Sequence, residues 1–247
     1  MKKNIRIGVS MFLAAIMLTV FAPASRANAV TWSSTAQYGS WTSGSYTLYN
    51  DVWGSGAGSQ TIWANSYSNW GVWAAHPSTS GIKAYPNASV TVGKTISSIS
   101  TLSSSFNVTV PTSGTAMETT YDVWAGSNAH EIMLWMNEYG DVAPISDTYS
   151  SSGSPVAYYT NLTVGGHTWN VYKGNNGANE VYTFVRTSKS SSGTVDIKAI
   201  LNWIKTTPKW FGDVTVGQVQ FGYEITSSYN SGSGYNFVTN SYSVTSN

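Results

Sequence analysis

Cysteine is absent from the 247 residues, which removes disulfides, thiolate zinc sites and a cysteine nucleophile together. Charge is scarce: 9% of the residues are Asp, Glu, Lys or Arg, against roughly 25% in an average soluble domain. A coiled coil or helical bundle would lack material for its solvent faces. The formal net charge is only +1 and no Lys/Arg stripe occurs, so the electrostatic footprint of a nucleic-acid binder is missing. The three histidines, His76, His130 and His167, are scattered and do not make a metal site. No calcium-loop pattern occurs either, and neither metal nor cofactor is expected. A serine hydrolase is disfavoured, because no Gly-x-Ser-x-Gly elbow lies on a strand-to-helix turn.

What the chain does have is 11 Trp, 16 Tyr and 23 Gly, with many Ser, Thr and Asn. So many large aromatics supply ample apolar area to bury, which excludes intrinsic disorder. The N-terminus reads as a secretory leader. Lys2, Lys3 and Arg6 precede an apolar run from Ile7 to Ala22, and Ala27-Asn28-Ala29 is a small-x-small cleavage pattern. The run is shorter than the roughly 20 residues of a membrane span. Cleavage after Ala29 leaves residues 30–247, with 8 basic groups, 11 acids and a formal charge of −3. The expected product is a secreted, monomeric, single-domain protein with no membrane association.

The dominant pattern beyond residue 30 is period 2. Val219, Phe221, Tyr223 and Ile225 alternate with Gln218, Gln220, Gly222 and Glu224, as in a strand with one apolar face. Ile132, Leu134 and Met136 alternate with Glu131, Met133 and Trp135, and Tyr121, Val123 and Ala125 with Asp122 and Trp124. Further strands are expected at Tyr46–Asn50, Phe106–Val110, Thr168–Tyr172, Val181–Arg186 and Tyr235–Val244, parted by Gly, Ser, Asn and Pro clusters. One segment has helical spacing: Ile197, Ile200, Leu201 and Ile204, with Thr194 as N-cap, Asp196 in the first turn and Pro208 at the exit. Many strands, one helix and one domain predict an all-β, two-sheet sandwich or jelly roll.

Of the eleven acids, most fall in stretches that read as solvated loops, as strand edges (Glu118 and Glu180) or as the helix start (Asp196). Asp122, Glu131 and Glu224 lie instead inside apolar strands. Such carboxyls are partly desolvated, which raises their pKa and suits acid–base work. By pattern alone, three acids facing water on an outer sheet fit equally well.

A resemblance separates these readings. Glu131-Ile-Met-Leu-Trp135 followed by Tyr139-Gly-Asp-Val-Ala-Pro-Ile145 resembles the nucleophile segment of glycoside hydrolase family 12. Phe221-Gly-Tyr-Glu-Ile225 resembles its acid/base segment, and Tyr121-Asp-Val-Trp124 the segment whose Asp lies close to the nucleophile. Tyr46 to Gly54 is similar to an N-terminal sugar-subsite motif, and Gly165-Gly-His-Thr-Trp169 with Gly174-Asn-Asn-Gly177 to a further block. The motifs occur in the family's order through nearly the whole of residues 30–247. The resemblance implies a curved, concanavalin A-like β-jelly roll with one α-helix and a concave cleft. It further implies a retaining endo-β-1,4-glucanase acting on cellulose, mixed-linkage glucan or xyloglucan.

By the same resemblance, Glu131 is the nucleophile, Glu224 the acid/base, and Asp122 an assistant to Glu131. Trp53 carries over as a sugar platform, Asn50 and Asp51 as subsite residues, and Met133 and Trp135 as cleft lining. Trp124 shares a face with Asp122, and Asn176 sits in the Gly-Asn-Asn-Gly turn, where it can bind sugar hydroxyls or only shape the loop. Asp51 stands where the family usually has Asn. His130 reads as structural, and His76 and His167 as turn residues. Two competing classes are a non-catalytic carbohydrate-binding sandwich, which composition fits equally well, and a family 11-type xylanase. The two Glu in matched motifs argue against the first, and their flanking residues against the second.

Overall fold

Period-2 segments bury one face only when a second layer covers it, and the chain stacks two sheets to do so. The computed structural model describes residues 30–229 and 232–247; the expected leader at residues 1–29 lies outside them. In chain order the strands are β1 (Trp32–Ser34), β2 (Ser40–Ser43), β3 (Tyr46–Tyr49), β4 (Ser59–Ser66) and β5 (Asn69–Ala75). Next come β6 (Asn87–Thr95), β7 (Leu102–Thr109), β8 (Ala116–Ala125), β9 (His130–Tyr139) and β10 (Tyr159–Val164). The last are β11 (His167–Asn175), β12 (Glu180–Arg186), β13 (Ser192–Asp196), β14 (Thr215–Ser227) and β15 (Tyr235–Ser246). One sheet has the order β1-β4-β5-β15-β7-β13, the other β10-β11-β12-β9-β8-β14-β6-β3-β2. All pairings are antiparallel except β9 with β12.

The three alternating segments become β8, β9 and β14, adjacent at the middle of the larger sheet. Their apolar sets face the other sheet: Tyr121, Val123, Ile132, Leu134, Phe221, Tyr223 and Ile225 all belong to the core. An aromatic cluster joins the layers there. Phe221 lies 4.7 Å from Tyr121 and stacks on Tyr242 of β15 at 4.9 Å, with Phe106 of β7 at 5.4 Å. Such pairs contribute about 0.5–1.5 kcal/mol each beyond burial. Two of the buried phenols find partners, Tyr121 with Ser104 at 2.9 Å and Tyr223 with Thr239 at 2.7 Å.

The expected strands are present, several longer than their apolar cores, because paired backbone extends past the last buried side chain. The helix α1 runs Ile197–Thr206 and buries Ile197, Ile200, Leu201 and Ile204. Its cap is a correction: Asp196, not Thr194, accepts from the Ala199 N–H at 2.9 Å. Thr194 is held in β13, which stays paired with β7 through Asp196 opposite Ser103. His76 and His167 also differ from the turn reading. His76 is fully buried after β5, with its ring near Gln60 at 2.9 Å, and His167 opens β11, bonded to the Thr194 carbonyl at 3.0 Å.

Candidate active site

The polar set of β8, β9 and β14 faces away from the core and floors an open cleft of about 670 Å³. Asp122, Trp124, Glu131, Met133, Trp135, Gln218, Gln220 and Glu224 all line it. Register explains the convergence. Trp124 lies opposite Glu131 and Asp122 opposite Met133 across β8 and β9, while Gln220 lies opposite Asp122 across β8 and β14. Side chains of directly opposed residues stand about 5 Å apart at Cβ, so acids from three neighbouring strands share one patch of floor.

Loops supply the walls. Gly140 turns the chain at the end of β9 with φ +78°, and a Cβ there would meet the Thr115 carbonyl oxygen at 2.1 Å. Only glycine fits both demands. The turn carries Asp141, Val142, Ala143 and Ile145 over the cleft. On another side, the buried ammonium of Lys83 donates to the Ser80 and Gly81 carbonyls at 2.6 Å each, fixing the Gly81–Ile82 wall. Trp53, 48% exposed, stands at the rim.

The electrostatics are dominated by burial of like charges. Glu131 is 9% exposed; burial first, and the neighbouring Glu224 second, raise its pKa to about 7, opposed by a hydrogen bond from Asn176. That bond runs from Asn176 Nδ2 to Glu131 Oε2 at 3.1 Å. Burial likewise raises Glu224, and raises Asp122 well above the carboxylate range with Glu131 and Glu224 adding to it. Asp122 receives a long hydrogen bond from Thr120 Oγ1 at 3.4 Å. Asp51 is pushed up to about 6 by burial.

The other sequence-derived residues divide. Met133 and Trp135 line the floor but are themselves buried, packed with Val181 and Val142. Trp124 turns its indole N–H to Gln220 Oε1 at 2.9 Å. Asp51 reaches the cleft from a left-handed backbone, φ +43°, a conformation Asn and Asp tolerate better than other side-chain-bearing residues; this is why Asp can stand where Asn is usual. Asn50 does not line the cleft. It is fully buried, donating to the Ala36 carbonyl at 2.8 Å and accepting from Gln60 at 3.0 Å. His130 faces Tyr182 and Phe211, in line with its structural reading.

Sequence reading passed over Glu118. It is not at a strand edge: it lies within β8, 3% exposed, opposite Glu224 on β14, and it lines the cleft. Its parity was the available signal, since Glu118, Asp122 and Trp124 share one face at period 2.

Buried carboxyls brought together in an open, aromatic-rimmed trench suit glycosidic bond cleavage. The model of glycosyl hydrolase family 12 matches residues 39–247. The chain belongs to glycoside hydrolase family 12. It is therefore a glycosidase, and neither the binding-only sandwich nor the family 11-type xylanase is favoured. It is 32% identical over 228 residues to a probable xyloglucan-specific endo-beta-1,4-glucanase A of Aspergillus terreus, covering 84% of this chain and 85% of that one. A xyloglucan-specific endo-beta-1,4-glucanase A of Emericella nidulans is 32% identical, over 73% and 80%. Among solved structures, the xyloglucanase domain of NopAA, a type three effector of Sinorhizobium fredii in complex with cellobiose, superposes with TM-score 0.84 at 50% identity, over 89% of this chain and all of that one. A native family 12 xyloglucanase of Bacillus licheniformis gives 0.72 at 25%, over 87% and 100%. These likenesses carry the jelly-roll assignment of this family 12 hydrolase.

Proposed function

We propose that the protein is a secreted, retaining endo-β-1,4-glucanase whose preferred polymer is xyloglucan, acting as a monomer once residues 1–29 are removed. The observation that carries this is the pair Glu131 and Glu224, on strands either side of β8, both facing the cleft and close enough to raise each other's cost of ionisation. Glu224 gives its proton to the leaving glycosidic oxygen while ionised Glu131 attacks the anomeric carbon, forming a glycosyl ester. The ester carries no charge on Glu131, so Glu224, now a carboxylate, loses a repulsive neighbour only in that intermediate. It then takes a proton from the water that displaces Glu131 and restores the β-anomer.

Asp122 is a neutral neighbour of Glu131 rather than a third anion, since ionising it would place two buried negative charges together. Trp53 offers a ring face to sugar C–H groups, and Asp51 a hydrogen-bonding carboxyl. Asn176 contributes chiefly through Glu131. The open trench accommodates a polymer along its length, and xyloglucan is favoured because the relatives named above carry that specificity in their names.

Reducing-sugar release from xyloglucan, cellulose, mixed-linkage glucan and xylan tests this, with wild type beside E131Q and E224Q. We expect xyloglucan to be cleaved fastest and each variant to lose several orders of magnitude in kcat while still binding polymer. Near-normal turnover by both variants refutes the residue roles. First products that are α-anomers by proton NMR refute retention.

A further inference from the structure

We propose that Glu118 is a positioning residue that stays protonated and donates a hydrogen bond to the carboxylate Glu224 becomes after it protonates the leaving group. This rests on the acid/base reading of Glu224 and extends it. The two residues are directly opposed across β8 and β14, which sets their side chains about 5 Å apart at Cβ, within reach of a carboxyl–carboxyl hydrogen bond. Glu118 is the more deeply buried, 3% exposed where Glu224 is only partly buried, and both line the cleft. Among the described residues, no N–H or hydroxyl group reaches its Oε2. Two opposed carboxyls can hydrogen bond only if one keeps its proton, and the deeper one pays the larger desolvation penalty on ionising.

The surrounding charges agree. Glu118 also faces Glu138 across β9, with Asp122 on its own strand face and Glu131 beyond it. Tyr85, buried beside the site, is neutral. The cations near this end of the sheet are occupied elsewhere: Lys189 pairs with Glu138 at 3.1 Å, and Lys83 donates to loop carbonyls. Burial, Glu224, Asp122 and Glu138 therefore all hold Glu118 neutral. In the first step Glu224 loses its proton to the glycosidic oxygen and Glu118 keeps its own, turning its O–H toward the new anion. In the second step Glu224 recovers a proton from water.

The test compares E118Q, whose amide can donate, with E118M, which has similar length and no donor, in full pH profiles of kcat and kcat/KM. Without a donor the Glu224 anion is less stable, so the alkaline limb of E118M moves to higher pH. Its kcat falls roughly 10- to 100-fold, as for loss of a hydrogen bond to a charged group, with KM little changed. E118Q is expected to keep the limb near its wild-type position and to recover most of the lost kcat. Equal behaviour of the two variants overturns the proposal. If neither folds, carboxyl-carbon NMR of the intact wild type decides: Glu118 must remain protonated while Glu224 titrates, and a Glu118 that ionises first overturns it. E224Q run alongside separates the two levels. An inactive E224Q with indistinguishable E118Q and E118M sinks only the role of Glu118, whereas an active E224Q sinks the acid/base reading itself.

Discussion

In the mechanism proposed above, Glu131 is caught between opposing demands, since attack needs an anion and its surroundings disfavour one. Burial and Glu224 raise it to about 7, and the Asn176 N–H is the group that lowers it. N176A is therefore expected to raise the pKa further and move the acid limb of kcat/KM upward by roughly half to one unit, as the loss of one net hydrogen bond implies. A pH–rate profile of N176A with the acid limb unmoved would show that the contact has no electrostatic weight. At this scale the acidic floor of the cleft was largely legible: Asp122, Glu131 and Glu224, which all line it, stand out as acids in apolar strands. Glu118 has the same parity but only Ala116 and Met117 before it and two threonines after it, so its local context looks like a strand end. Its depth comes from β9 and β14 closing over it on either side. Asn50 shows the converse, for a motif position does not reveal which way a buried amide turns.

Elements were legible where periodicity is undiluted. β8, β9 and β14 follow their alternation residue for residue, and α1 buries the four residues its spacing marks. The helix start was misjudged by two residues because β13 remains paired to a strand some 90 positions earlier, through Asp196 with Ser103. No local propensity encodes that pairing. The consequence is measurable. D196A should lose about 1 kcal/mol of stability, as removal of an N-cap typically does, while T194A loses less, and neither should alter kcat. Denaturant midpoints with unchanged m-values check it; equal losses in the two variants would restore Thr194 as the cap.

For the whole molecule, the cleft stores instability that depends on pH. Asp51 and Glu131 carry pKa values of about 6 and about 7, and Asp122, Glu118 and Glu224 are raised as well. Over that range the folded state binds more protons than the unfolded one, so stability falls as pH rises through it. The histidines act oppositely: His76 is lowered to about 4 by burial and then by Lys83, and destabilises as pH falls below 6.5. Above about 6.5 only the carboxyls contribute, and the melting temperature should decline from pH 6.5 to 8. E131Q removes part of that penalty and is expected to melt roughly 4–8 °C above wild type at pH 8, for a gain on the order of 2 kcal/mol, with a much smaller gain near pH 4.5. Calorimetry at both pH values checks this; equal shifts would mean a packing effect instead of relief of buried charge.

The sequence by itself determined the fold class, the helix and which strand faces are apolar, because periodicity and side-chain volume are local properties that only one kind of layer can satisfy. It also marked three of the four acids at the centre of the floor. Tertiary structure alone decided which strands become neighbours, and so which carboxyls meet, how deeply each is desolvated and which of them can keep a proton. Those are properties of register between segments up to about a hundred residues apart, and a pKa is set by everything surrounding a group, not by its place along the chain.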